Sequence, residues 1–142
     1  MRGISIVVFS RMATVDLASY KNIYIKTAEE YINSLFKSCA SLSNNLLDKK
    51  ALESLHISSH SLKSQSQMMG LTNMANLCAI IEKISKAALE GRNKINNDLI
   101  AVLKESVEAL GLCLSQIEKE NKENDLEPII KKLEQYNTVR VI

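Results

Sequence analysis

Apolar side chains recur every three or four residues from Leu17 to Leu46, by way of Tyr20, Tyr24, Ala28, Tyr31, Leu35, Cys39 and Leu42. A helix of 3.6 residues per turn gathers that spacing into one stripe, whereas a strand would scatter it over both faces. The pattern predicts a single long amphipathic helix that ends by about Leu47, where Asn44, Asn45 and Asp48 cluster. So long a stripe must be covered by other elements, and the patterns that follow are also helical. A second helix is predicted from about Lys50 to Met69, stopped by Gly70. A third begins at Thr72 or Asn73, residue types that cap helices. It turns Met74, Leu77, Ile81, Ile84 and Ala88 inward and ends at Gly91. The fourth starts behind Asn97 or Asp98, with Leu99, Leu103, Val107, Leu110, Leu114 and Ile117 facing the core. After a polar break over 119–125, Pro128 opens a short helix containing Ile129, Ile130 and Leu133, proline being tolerated in a first turn.

Four glycines and one proline in 142 residues leave little room for a fold of tight turns. Tryptophan is absent and aromatics make up 4%, so the core must be built from Leu, Ile, Ala and Met, which suits packed helices. The expected fold is all-α: an antiparallel four-helix bundle with an additional short C-terminal helix. Short connections force consecutive helices to run in opposite directions and bury their stripes together. Residues 12–122 are expected to form the bundle and 123–142 the C-terminal helix and tail. Met12-Ala13-Thr14-Val15-Asp16 reads like a natural start, so residues 1–11 are expected to be a poorly ordered extension.

Several function classes are disfavoured. The net charge is +2 and the basic residues are spread along the chain, without the clustered basic face of a nucleic-acid binder. The apolar run from Ile4 to Phe9 is too short for a membrane span or a signal sequence. Cys39, Cys78 and Cys113 are odd in number, lack paired spacing and lie in apolar helical patterns. They are expected to be reduced, buried thiols of a cytoplasmic protein. The glycines Gly3, Gly70, Gly91 and Gly111 are isolated, so there is no glycine-rich nucleotide loop.

The segment that proposes a chemistry is HSLKSQSQMMG, from His60 to Gly70. At 100° per residue, Leu52, Leu55, Ser59, Leu62, Ser66 and Met69 share an arc of about 100° that must face the core. His60 lands about 80° from Leu52 on the other side, outside that arc. Ser64 and Gln67 flank it there, with His56 and Lys63 at the boundary. An outward imidazole with small or polar neighbours can carry a phosphoryl group on one nitrogen, provided the other keeps its proton and donates it. Lys63, one turn on, can neutralise incoming oxygens through charge-assisted hydrogen bonds. His56 and His60 have the i, i+4 spacing of some metal sites, but no cysteine or second carboxylate pair completes a site, and no metal is expected.

These residues resemble the motif of histidine-containing phosphotransfer (HPt) domains, closest to the amino-terminal domain of the chemotaxis kinase CheA. The likeness covers about Asp16 to Glu118. It implies that His60 is the phosphorylated histidine, Lys63 the phosphate-facing lysine and Gly70 the glycine closing the helix. Glu82, in LCAIIEKI, is implied to be the carboxylate that hydrogen-bonds the histidine's second nitrogen. Ser64, Gln67, Ile57 and His56 are the candidate binding residues around them, Ile57 as part of a docking patch for a receiver domain. Two departures stand out: Ser64 replaces the glycine after the lysine, and Ala79 stands where CheA relatives often have a second histidine.

The resemblance further implies a phosphorelay intermediate of a two-component system without a cofactor of its own; a monomer is expected, although bundle relatives occur as monomers and as dimers. Its partners are then a histidine kinase catalytic domain and a response-regulator receiver domain, which supply ATP and Mg²⁺. The alternatives are the front piece of a CheA-like sensor kinase, or a helical interaction module that has lost phosphotransfer.

Overall fold

The computed structural model describes residues 14–136, with side-chain environments from residue 18 onward. The expected extension, residues 1–11, lies outside that range. Five helices follow in order: α1 Thr14–Asn44, α2 Lys49–Met68, α3 Thr72–Leu89, α4 Asn97–Glu120 and α5 Glu127–Glu134. No strand occurs among the described residues. The four long helices form an antiparallel bundle in which α2 lies between α1 and α3, and α4 packs on α1 and α3. The short α5 closes over α3 and α4.

The expected stripes supply the core. Leu35, Leu42, Leu55, Leu62, Met74, Leu77, Ile81, Ile84, Leu103 and Leu110 are all sealed from solvent. Leu126, Ile130 and Leu133, around and within α5, belong to the same cluster. On α1 the stripe is weaker at its ends than its spacing suggests: Tyr20 is 41% exposed, and Tyr31 and Leu46 only pack on the edge of the core.

Serines at inward positions are made tolerable by local bonds. Ser59, Ser85 and Ser106 donate to the main-chain oxygens of Leu55, Ile81 and Val102 one turn earlier. Ser58 donates to Ser34 at 2.8 Å, and the buried Tyr24 hydroxyl pairs with Ser66 at 2.8 Å. Small side chains on both sides of this seam bring α1 close to α2. No buried side-chain polar atom among the described residues lacks a hydrogen bond.

The helix ends show what periodicity misses. Asp48 caps α2 by accepting from the Ala51 amide, and Asn96 caps α4 by accepting from the Leu99 amide, so α4 begins ahead of the expected cap at Asn97 or Asp98. For α3 the expected cap is corrected. The N-cap position is Leu71, which supplies no side-chain bond. Glu123, far along the chain, accepts from the Met74 amide at 2.8 Å, and Asn73 donates instead to the main-chain oxygen of Asn124. The carboxylate also suits the positive end of the α3 dipole.

Gly70 ends α2 as expected. Its φ of 73° is left-handed, and the Leu71 amide donates back to Ser66 O at 2.8 Å. Gly70→Ala should destabilise the bundle by about 1–2 kcal/mol, the cost of a left-handed L-residue, as a lower urea midpoint at unchanged slope.

Cys39, Cys78 and Cys113 are free thiols with no solvent exposure. Burial pushes the Cys39 and Cys113 thiols up to about 11, and Cys78 is shifted in the same direction by the same cause. A thiol reagent at neutral pH should therefore leave all three unmodified in the native protein and titrate three after denaturation. Rapid reaction of any one of them under native conditions would contradict this packing.

Candidate functional site

The connection at 69–71 folds α3 back along α2, so the α3-facing edge of α2 meets α3 over most of its length. His60 and Lys63 lie on that edge, one turn apart, where i, i+3 side chains are neighbours. Glu82 on α3 reaches both. His60 Nδ1 stands 2.7 Å from Glu82 Oε2, and Lys63 Nζ 2.6 Å from Glu82 Oε1. The carboxylate is thus clasped by an imidazole on one oxygen and an ammonium on the other.

The two ends of this arrangement differ in exposure. The Glu82 side chain is 16% exposed and that of His60 56%. Partial burial pushes the Glu82 carboxyl up, but hydrogen bonds from Lys63 and His60, with their charges, outweigh it and hold the group below its ordinary value. An ionised carboxylate can only accept, so the short bond assigns the proton to Nδ1, which donates to Oε2. In the neutral ring Nε2 then carries the lone pair, and it has no hydrogen-bond partner among the described residues. That nitrogen is a nucleophile held in one tautomer and turned to solvent.

The other candidates surround this core. His56, half-buried, brings Nδ1 to 3.4 Å from the main-chain oxygen of Glu82, a long contact behind the carboxylate. Gln67 is exposed and Ser64 half-buried, and neither bonds to the three central groups. Ile57 is 61% exposed, and Met68 is similarly open. Gly70 lies at the helix terminus, away from His60, Lys63 and Glu82. Lys63 is expected to face a phosphate, but in this structure it is engaged by Glu82. Among the described residues, no three His, Cys, Asp or Glu side chains gather closely enough to hold a metal ion.

The His56 contact has no sequence signal, because its partner is a main-chain oxygen on another helix. The Glu82 pairing bridges residues 22 apart in the chain, beyond any helical period.

Comparison with known proteins agrees with the geometry. A family model described as "Hpt domain" matches residues 19–120. Among curated proteins, the chain is similar to chemotaxis protein CheA of Bacillus subtilis, 22% identical over 103 residues that span 72% of this chain and 15% of that protein. It is also similar to chemotaxis protein CheA of Borreliella burgdorferi, 23% identical over 115 residues, 80% of this chain and 13% of the relative. A third likeness is to chemotaxis protein CheA of Halobacterium salinarum, 20% identical over 99 residues, 70% of this chain and 15% of the relative. The chain thus spans a small fraction of the length of these relatives. The match over 19–120 covers most of the chain, and the four helices it takes in are those of the bundle. The chain belongs to the Hpt domain family.

Proposed function

We propose that the protein is a phosphorelay intermediate whose His60 carries the phosphoryl group on Nε2. The observation that supports this most is the 2.7 Å bond between Nδ1 and Glu82, made while the ring remains open to solvent. In the forward step the Nε2 lone pair forms the N–P bond. The P–O bond to the donor breaks, and its electrons leave with ADP or with a receiver's aspartate. The ring keeps its Nδ1 proton and becomes a phosphorylated imidazolium, whose positive charge Glu82 offsets. In the return step a receiver aspartate attacks phosphorus, the N–P bond breaks and the neutral tautomer is restored. ATP and Mg²⁺ belong to the partners, a histidine kinase catalytic domain and a receiver domain. We place this exchange in the cytoplasm, with the protein acting as a monomer.

Ser64, small and half-buried, leaves room for a partner's acceptor, and Gln67 lies within the surface such a partner would cover. Ile57 and Met68 give that surface an apolar character suited to a receiver domain. Lys63 steadies Glu82 and has further N–H donors to offer the phosphoryl oxygens. Lys63→Ala should slow acceptance by about ten-fold, one charge-assisted hydrogen bond, while partner affinity measured by calorimetry changes less.

The test is incubation with a matched kinase, Mg²⁺ and γ-labelled ATP. The expected label is acid-labile and base-stable, as a phosphoramidate is, and maps to His60 in mass spectrometry. Label on another residue, or none with a kinase that labels other HPt domains, would refute the proposal.

A second reading is favoured by the relatives' being chemotaxis protein CheA and far longer than this chain. In that case the same site is the first domain of a sensor kinase and receives its phosphoryl group from a catalytic domain on its own polypeptide. Kinase motifs in continuous reading frame downstream would decide for it.

A further inference from the structure

A concave feature lies where the 45–48 connection meets the 90–96 connection. It is a cleft of about 490 Å³ with an apolar lining from Leu46, Leu52, Ala88, Leu89 and Ile95. That volume accommodates a few side chains of a partner. Leu47 stands at its edge and is 87% exposed, the most exposed of the large apolar side chains among the described residues. The apolar surface therefore continues outward from the cleft, as befits a protein partner more than a small molecule held within.

The charges around it are uneven. Lys49 and Lys94 line the cleft, and neither ammonium group has a hydrogen-bond or ion-pair partner among the described residues. Of the nearby carboxylates, Asp48 caps α2 at the Ala51 amide and Glu90 is held by Arg92 at 2.6 Å, while Glu53 and Asp98, four residues beyond the two lysines, are not part of the cleft lining. An apolar floor with two free ammonium groups at its mouth is complementary to leucine-like side chains flanked by carboxylates. A second copy of the chain is disfavoured, because a two-fold contact here would set the same lysines against each other. The described chain ends beside the cleft, since Tyr136 O accepts from Asn93 on its wall. Residues 137–142, however, bring Arg140, of the same sign as the rim.

We infer that this cleft docks an acidic, leucine-bearing helical segment of a partner protein, at a surface separate from His60. A twelve-residue helical peptide with two leucines at i, i+4 flanked by glutamates is the probe, titrated into the isotope-labelled full-length protein. Saturable amide shifts are expected over 46–52 and 88–95. The Lys49→Glu/Lys94→Glu variant, changed only at exposed positions, should bind about ten-fold more weakly, as should wild type with a glutamine-substituted peptide. The same variant should accept phosphoryl label at His60 at the wild-type rate, so failure here is distinct from failure of the relay proposal.

Several outcomes overturn the inference. These are no saturable shift, shifts centred on Ile57 and Met68, undiminished affinity in the double variant, and tighter binding after truncation behind Tyr136. The last would assign the cleft to the chain's own 137–142. A concentration-dependent dimer abolished by Leu47→Ser would overturn it in favour of self-association.

Discussion

A His60→Gln protein should accept no acid-labile label from a kinase that phosphorylates the wild type. The substitution removes chemistry and little else. The glutamine amide keeps an N–H that can reach Glu82 Oε2, and the position is open to solvent, so the fold should lose about 0.5 kcal/mol or less. An amide nitrogen has no free lone pair to attack phosphorus, because it is delocalised into the carbonyl. The expected effect is therefore complete loss of acceptance with nearly unchanged thermal unfolding. Residual label at a tenth of the wild-type level would mean a second acceptor. His56 would be the first to examine, with its Nδ1 already turned to the Glu82 carbonyl.

The second large effect is expected at Glu82. Glu82→Ala frees the imidazole to exchange tautomers and leaves the phosphorylated ring's positive charge without its carboxylate. One charge-assisted hydrogen bond of about 1.5–3 kcal/mol corresponds to about a ten- to hundred-fold slower acceptance. Glu82→Gln keeps the shape but not the charge, and should fall between Ala and wild type. Unchanged kinetics in both variants would remove the carboxylate from the mechanism.

The same residue gives a pH dependence of stability whose sign follows from its shift. Glu82 is held below its ordinary value of 4.5, so the unfolded chain binds its proton more readily than the folded one. Its contribution is fully present above that value and is lost as the pH falls through the lower, folded value. Wild type and Glu82→Gln should therefore differ in urea midpoint near neutrality and converge in acid.

How much of this was legible from the residues alone depends on the range of the interaction. Stripes such as Leu99, Leu103, Val107, Leu110, Leu114 and Ile117 announce themselves, because burial acts on every turn of one helix. The outward setting of His60 follows from the same 100° count, and its exposure agrees. Glu82 is different: no period links it to His60, and only resemblance to a family pointed to it. The capping of α3 by Glu123 could not be read at all. Thr72 and Asn73 have the right chemistry for a cap, but a carboxylate from beyond α4 reaches the amide instead. The engagement of Lys63 by Glu82 was likewise hidden, since spacing says which side chains are adjacent on a helix and nothing of which partner wins.

The Glu123 bond and the buried Leu126, Ile130 and Leu133 bear on where this unit can be cut. The family match stops at residue 120, yet a fragment trimmed there would leave the Met74 amide bare and strip three apolar side chains from the core. At about 1.5–3 kcal/mol apiece, those side chains rival the whole net stability of a small domain. The smallest autonomous piece therefore reaches at least to Leu133, and a shorter excision would loosen the very helix on which Glu82 is mounted.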